Sequence, residues 1–100
     1  MAATATWHGS EHLTADSVLG APNVSCRVFS VTLLSGGTAG TLVLRNGQDA
    51  SGTIYVQQTG IPNESAVQNW EQGLYFPDGC FYDHDANNAG VTIEFRNENI

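Results

Sequence analysis

The chain has 100 residues, enough for one domain with one hydrophobic core. Only 13% of the residues are charged, against about 25% in an average domain, and the net charge is −7 with no lysine. Its basic side chains, Arg27, Arg45 and Arg96, are scattered, whereas nucleic acids and anionic membranes require clustered positive charge. With 41% apolar residues the chain should fold, and we expect it to bind neither nucleic acid nor membrane.

The N-terminal segment, residues 1–23, is polar, rich in Ala and Thr, and interrupted by Gly9, Gly20 and Pro22. It predicts an irregular arm in front of a β-sandwich domain spanning residues 24–100, with one helical turn possible at residues 15–19. Residues 1–10 lack the basic start and apolar stretch of a secretory signal, so we expect cytoplasmic synthesis. Without export signals, Cys26 and Cys80 are expected to be buried thiols rather than a bridge.

Residues 24–34 are rich in β-branched and aromatic residues and predict a long strand, with Phe29, Val31 and Leu33 on one face. The glycine-rich residues 36–40 predict a turn. Residues 41–45 and 53–57 predict an antiparallel hairpin around the dipeptide at positions 46 and 47. Its alternating pattern predicts four inward side chains: Leu42, Leu44, Ile54 and Val56.

Residues 66–70 predict a fourth strand. Residues 74–76 and 80–83 flank Pro77, Asp78 and Gly79, whose order is typical of a type I or II turn, so we expect a second hairpin there. Residues 91–95 predict a closing strand with Val91, Ile93 and Phe95 inward. Because no segment has helical periodicity, the sequence predicts an all-β fold: a single antiparallel β-sandwich or jelly roll of seven to eight strands.

The sequence offers no specific catalytic pattern. No Gly-x-Ser-x-Gly occurs, the glycines at 36 and 37 are not followed by a lysine, and the carboxylates form no pair of defined separation. We therefore expect no enzyme activity and no cofactor.

Two groups of residues resemble metal ligands. Asp83, Asp85 and Asn87, with Glu94 at the twelfth position, approach the spacing of a calcium loop, but no helices flank them. A solvated loop is the favoured interpretation. The histidines, His8, His12 and His84, are interpreted as surface or interface residues, and no metal site is predicted.

The aromatic residues are too many for so small a core, so some should be exposed as protein-interface anchors or as stacking platforms for sugars. Trp70 and Phe76 could equally fill the core, and Trp7 in the arm is the stronger interface candidate. The residues proposed for a partner interface are Trp7, His12, Leu13, Trp70 and Tyr75.

Four segments together resemble the small β-sandwich proteins that decorate, or cement, the capsids of tailed bacteriophages, including cyanophages. They are residues 31–47 (VTLLSGGTAGTLVLRNG), 50–56 (ASGTIYV), 73–79 (GLYFPDG) and 91–96 (VTIEFR). The stretch between residues 28 and 96 that carries the resemblance covers about two-thirds of the chain. These segments are strands and turns, so the resemblance assigns no functional residue.

The resemblance implies a structural virion protein on the capsid surface, where a homo-oligomer, often a trimer, binds the major capsid protein and stabilises the shell. The competing hypothesis is a receptor- or glycan-binding module of a phage tail fibre or spike, which would use exposed aromatic residues together with Asn and Asp side chains.

Overall fold

Strands and turns, without a helix, make up the part of the chain that the structure describes. This computed structural model covers the backbone of residues 7–98 and the side chains of residues 10–98. The strands are β1 (Trp7–Leu13), β2 (Ser17–Val18), β3 (Ser25–Ser35), β4 (Thr41–Asn46), β5 (Thr53–Thr59), β6 (Ser65–Phe76), β7 (Cys80–Asp83) and β8 (Asn88–Glu98).

The strands pair as if one long antiparallel hairpin had been rolled up. β1 pairs with β8, β2 with β7, β3 with β6 and β4 with β5. Rolling produces two four-stranded sheets, sheet A in the order β1-β8-β3-β6 and sheet B in the order β2-β7-β4-β5. This wrapping is that of a jelly roll, and it confirms the predicted all-β class.

The core lies between the two sheets and is built by alternation along the strands. Val91, Ile93 and Phe95 of β8 are fully buried, as predicted, and Leu42 and Leu44 of β4 face them from sheet B. Burying each such side chain contributes about 1.5–3 kcal/mol to folding.

The N-terminal segment differs from the predicted irregular arm. Trp7–Leu13 form edge strand β1, which pairs with β8 from Trp7 opposite Asn97 to Leu13 opposite Val91. Leu13 and Leu19 are buried in the core, so this segment is part of the sandwich. Its polar sequence concealed the strand because an edge strand with a solvated face needs few apolar residues. Residues 1–6 of the predicted arm lie outside the described residues.

The prediction of a second hairpin is wrong, although its turn is present. The N–H of Gly79 donates to the carbonyl of Phe76 at 3.1 Å, which closes a β-turn with Pro77 in its second position. However, Phe76 ends β6 in sheet A, whereas Cys80 begins β7 in sheet B. Consecutive strands of a jelly roll mostly change sheets, so this turn joins the two layers. The hairpin of β4 and β5 is confirmed.

Two bulges overturn two predicted side-chain directions. A register shift between Val28 and Ser30 of β3 turns Val28 into the core and leaves Phe29 half-buried outside it. A second shift pairs Leu44 with Val56 but the next residue of β4 with Ile54, which is 41% exposed instead of inward. Period-two reasoning fails at a bulge because one extra residue reverses the faces beyond it.

Two buried asparagines connect loops to the sandwich. The Oδ1 of Asn97 accepts from the backbone N–H of Ala21 at 2.9 Å, and its Nδ2 donates to the carbonyl of Leu19 at 3.3 Å. The Nδ2 of Asn88 donates to the carbonyl of Thr41 at 3.0 Å and to the hydroxyl of Tyr82 at 2.8 Å. These side chains replace water as partners for backbone groups at the sheet ends.

Candidate functional site

The interface residues proposed from the N-terminal segment lie in different environments. Trp7 begins β1, and its side chain lies outside the described residues. His12 is exposed on the outer face of sheet A, with Nδ1 3.0 Å from the Oγ1 of Thr92. Leu13 points the opposite way, into the core, where it cannot contact a partner. Of these, His12 is the residue placed to meet another molecule.

Trp70 and Tyr75 share β6 but are not part of one surface. Tyr75 is 41% exposed and lies beneath the Arg27 guanidinium, whose Cζ is 4.8 Å from the ring centroid. Trp70 is half-buried and packs against the core from the open side of the sandwich. The four proposed residues whose side chains are described are therefore spread over the core, the outer face of sheet A and a groove.

The groove lies where the edge strands of the two sheets, β5 and β6, come together, and its volume is about 480 Å³. Side chains of both strands line it, chiefly Tyr55, Gln57, Gln58, Gln68, Trp70 and Leu74. None of these side chains is charged. The groove thus combines aromatic surface with neutral amide donors and acceptors.

Two features of the groove bear on what it can bind. The ring of Tyr55 rests on Phe76, with centroids 5.1 Å apart and planes 31° apart, and is nevertheless 42% exposed. The Oε1 of Gln68 is buried and has no hydrogen-bond donor among the described residues. A buried acceptor without a donor costs about 1–3 kcal/mol, so this oxygen would gain from a ligand that donates to it.

The groove residues Tyr55, Gln57, Gln58 and Gln68 were not predicted as a group. The strands that carry most of them were predicted. Gln68 and Trp70 are two residues apart, a spacing that places both side chains on the same face of a strand. What the sequence lacked was the information that β5 and β6 are neighbouring edges of different sheets.

The outer face of sheet A is a second candidate surface. Its register aligns rows of small polar side chains across all four strands, bordered by the apolar Leu34 and Val67. The face comprises Ser10, His12, Ser30, Thr32, Leu34, Ser65, Val67, Asn69, Thr92 and Glu94. Leu34 is 42% and Val67 59% exposed, and nothing in the described chain covers this face.

Further charged side chains cluster at one end of the outer face. Arg27, Arg96 and Glu98 alternate with buried residues of β3 and β8, so they face outward at the end away from Leu34 and Val67. Arg27 and Arg96 both bind Glu98, at 3.1 and 3.3 Å, and Arg45 binds Asp83 at 3.0 Å. Each of the three arginines is thus paired with a carboxylate, although Arg27 and Arg96 share that of Glu98.

The acidic loop after β7 does not gather calcium ligands. Asp85 is occupied within the protein, since its Oδ2 accepts from the N–H of Thr41 at 2.8 Å and its Oδ1 from the N–H of Asn87 at 3.1 Å. Asp83 lies in sheet B and Glu94 on the outer face of sheet A, so the spacing in sequence does not bring them together. No group of three potential metal ligands occurs among the described residues.

The two cysteines are part of the core. Cys26 and Cys80 are buried free thiols, which agrees with the prediction of packed cysteines. Burial, aided by the carboxylates of Glu98 and Glu11, raises the pKa of Cys26 to about 12. Burial also raises the pKa of Cys80. Thiols held neutral in this way are poor nucleophiles.

Comparisons with known proteins add no relative. No protein-family model, no curated protein and no solved structure matches the chain. In the part of the chain that the structure describes, no helix is long and apolar enough to cross a membrane. The geometry alone therefore has to carry a functional assignment.

Proposed function

We propose that this chain is a structural virion protein without enzyme activity, a capsid decoration protein that binds the outer surface of the major capsid protein shell as a homotrimer. It would be made in the host cytoplasm and act on the capsid surface. The observation that carries the proposal is the outer face of sheet A, which is broad and uncovered and whose half around Leu34 and Val67 consists mainly of small polar and apolar side chains.

The shape and chemistry of the outer face suit a large protein partner. Protein interfaces have few charged residues at their centre and a polar rim, and in pre-organised complexes the interface backbone moves little on binding. Here the backbone of four paired strands fixes the face, and Leu34 and Val67 supply exposed apolar contacts. Sharing the face between a capsid subunit and a second copy of the chain would also supplement the modest core of a 100-residue domain.

The segments that resemble decoration proteins can be located in the fold. Residues 31–47 span the end of β3, the following turn and β4, while residues 91–96 lie within β8. β3 and β8 are the two central strands of sheet A. The similar segments therefore include the strands that carry the middle of the outer face.

Cryo-electron microscopy of purified phage particles tests the proposal. We expect density for this domain on the shell at local threefold positions, with a face of sheet A against the capsid protein or a neighbouring copy. Density at the tail tip and none on the shell would refute it.

A pair of matched variants links the proposal to the face. Leu34 and Ile54 are exposed to nearly the same extent, 42% and 41%, but lie on the outer faces of opposite sheets. Leu34→Asp should lower occupancy on particles and particle heat resistance, whereas Ile54→Asp should preserve both. Equal occupancy of the two variants, with both folded by circular dichroism, would remove the outer face from the interface.

The receptor- or glycan-binding module of a tail fibre or spike stays the second candidate, because the groove between β5 and β6 has the residue types that bind sugars. Under this alternative, the purified domain would bind cell-surface glycan and compete with infection, while particles lacking it would keep their heat resistance.

A further inference from the structure

We propose that the groove between β5 and β6 is a binding site for a neutral oligosaccharide. The groove opens beside the face proposed to contact the capsid and has Val67 in common with it, but its aromatic and amide side chains lie outside that face, and the inference does not depend on the proposed decoration of a shell.

The size and lining of the groove define the class of ligand. Its volume of about 480 Å³ falls within the range of about 300–1,000 Å³ typical of small-molecule sites, and is enough for a short oligosaccharide. A sugar presents apolar ring faces and a periphery of hydroxyl groups. Tyr55 and Trp70 offer aromatic surface for the faces, and the amides of Gln57, Gln58 and Gln68 can both donate to and accept from hydroxyls.

The buried oxygen of Gln68 is the strongest single observation in favour of a sugar ligand. Its Oε1 is removed from solvent, yet no described residue donates to it. A sugar hydroxyl is a donor that would satisfy this oxygen, whereas an apolar ligand would leave it unpaired.

The lack of charged side chains in the groove narrows the class of ligand further. Among the side chains that the structure describes, no Asp, Glu, Arg or His lines the groove. A uronic acid, sialic acid or phosphate would therefore lose hydration on entering without gaining an opposite charge. The site fits uncharged hexose units better than acidic ones.

The competing occupant of such an opening is an extended peptide that adds a strand to a free sheet edge. Both edges here are irregular. β6 carries a register shift opposite Phe29 and a positive φ of 82° at Gly73, and β5 is shifted opposite Arg45. Bulges of this kind interrupt the ladder that an added strand would need. Side-chain recognition of a sugar does not depend on that ladder.

Nuclear magnetic resonance titration of the purified chain tests the site. The probes are the neutral hexasaccharides of glucose and mannose at millimolar concentration, with a galacturonic acid oligomer as the charged comparison. We expect at least one neutral probe to shift the indole N–H signal of Trp70 and the side-chain amide signals of Gln57, Gln58 and Gln68. The charged probe should shift them much less.

Two variants separate binding from folding. Gln68→Leu should lower the affinity for the neutral probe about tenfold. The midpoint of thermal unfolding should stay unchanged or rise, because the substitution removes a buried unpaired acceptor. Tyr55→Ala should weaken binding about threefold to tenfold. Tyr75→Ala is the matched control: Tyr75 is 41% exposed against 42% for Tyr55, but it lies outside the groove, so the affinity should not change.

Three outcomes would overturn the proposal. The first is that no neutral probe shifts the groove signals. The second is binding by Gln68→Leu at the affinity of the unaltered chain. The third is that an extended peptide, such as a Thr- and Val-rich decamer, shifts the backbone amides of β5 and β6 when the sugars do not, which would assign the opening to strand addition.

Discussion

The contact between Gly20 and Asn97 allows a quantitative test of the fold at the point where the N-terminal strands join β3. Gly20 has a φ of +65°, and a Cβ built on it would lie 1.8 Å from the Oδ1 of Asn97 and 2.8 Å from the Cε2 of Phe95. An alanine there costs about 1–2 kcal/mol for its left-handed backbone. Displacing Asn97 would cost about 0.5–1.5 kcal/mol for each of its two hydrogen bonds. Gly20→Ala should therefore lower the free energy of unfolding by about 2–5 kcal/mol.

A double-mutant cycle in urea isolates the contact. In an Asn97→Ala background the obstructing oxygen is gone, so Gly20→Ala should cost only the backbone strain and the remaining contact with Phe95, giving a coupling of about 1–3 kcal/mol. Gly37→Ala serves as the control, because nothing lies within 4 Å of its added Cβ. If the two substitutions add to within about 0.5 kcal/mol, or if Gly20→Ala behaves like Gly37→Ala, the assignment of Asn97 to this loop is refuted.

Two further predictions concern buried polar groups. Tyr82→Phe removes the hydroxyl that accepts from the Nδ2 of Asn88, so thermal denaturation should reveal a loss of about 1–2 kcal/mol, whereas Tyr75→Phe on the surface should change little. The thiols predict alkaline instability: burial raises the pKa of Cys26 from 9.0 to about 12, and that of Cys80 also rises. Stability should be intact below pH 9 and fall as the pH approaches 12, because the thiols ionise in the unfolded chain before they ionise in the folded one. Urea unfolding at several pH values would measure this fall in stability, and an unchanged fall in Cys26→Ala would contradict it.

Local patterns were sufficient to predict the fold class. Alternation placed Val91, Ile93 and Phe95 in the core, and turn residues located the β4–β5 hairpin and the turn after Phe76. These predictions succeeded because each depends on residues within one strand or one turn.

The errors arose where distant segments decide the outcome. β1 is a strand because the backbone of β8 pairs with it, and its own polar sequence gives little sign of this. The turn at residues 77–79 could join two strands of one sheet or two sheets, and only the wrapping of the whole chain decides between them. Ile54 and Phe29 depend on bulges, whose positions alternation cannot reveal.

The strand β6 shows why neither candidate surface could be predicted from the sequence alone. Along this strand Asn69 belongs to the outer face of sheet A, while Gln68 and Trp70 on either side of it face the groove. The alternation is visible in the sequence, but what lies on each side is not, because β5 and β6 are edge strands of different sheets and become neighbours only in the folded sandwich. The same alternation separates the two proposed surfaces along β6, although they have Val67 in common. A substitution at Asn69 should alter capsid attachment and spare sugar binding, and a substitution at Gln68 should do the reverse, so one strand provides neighbouring variants with opposite expected effects.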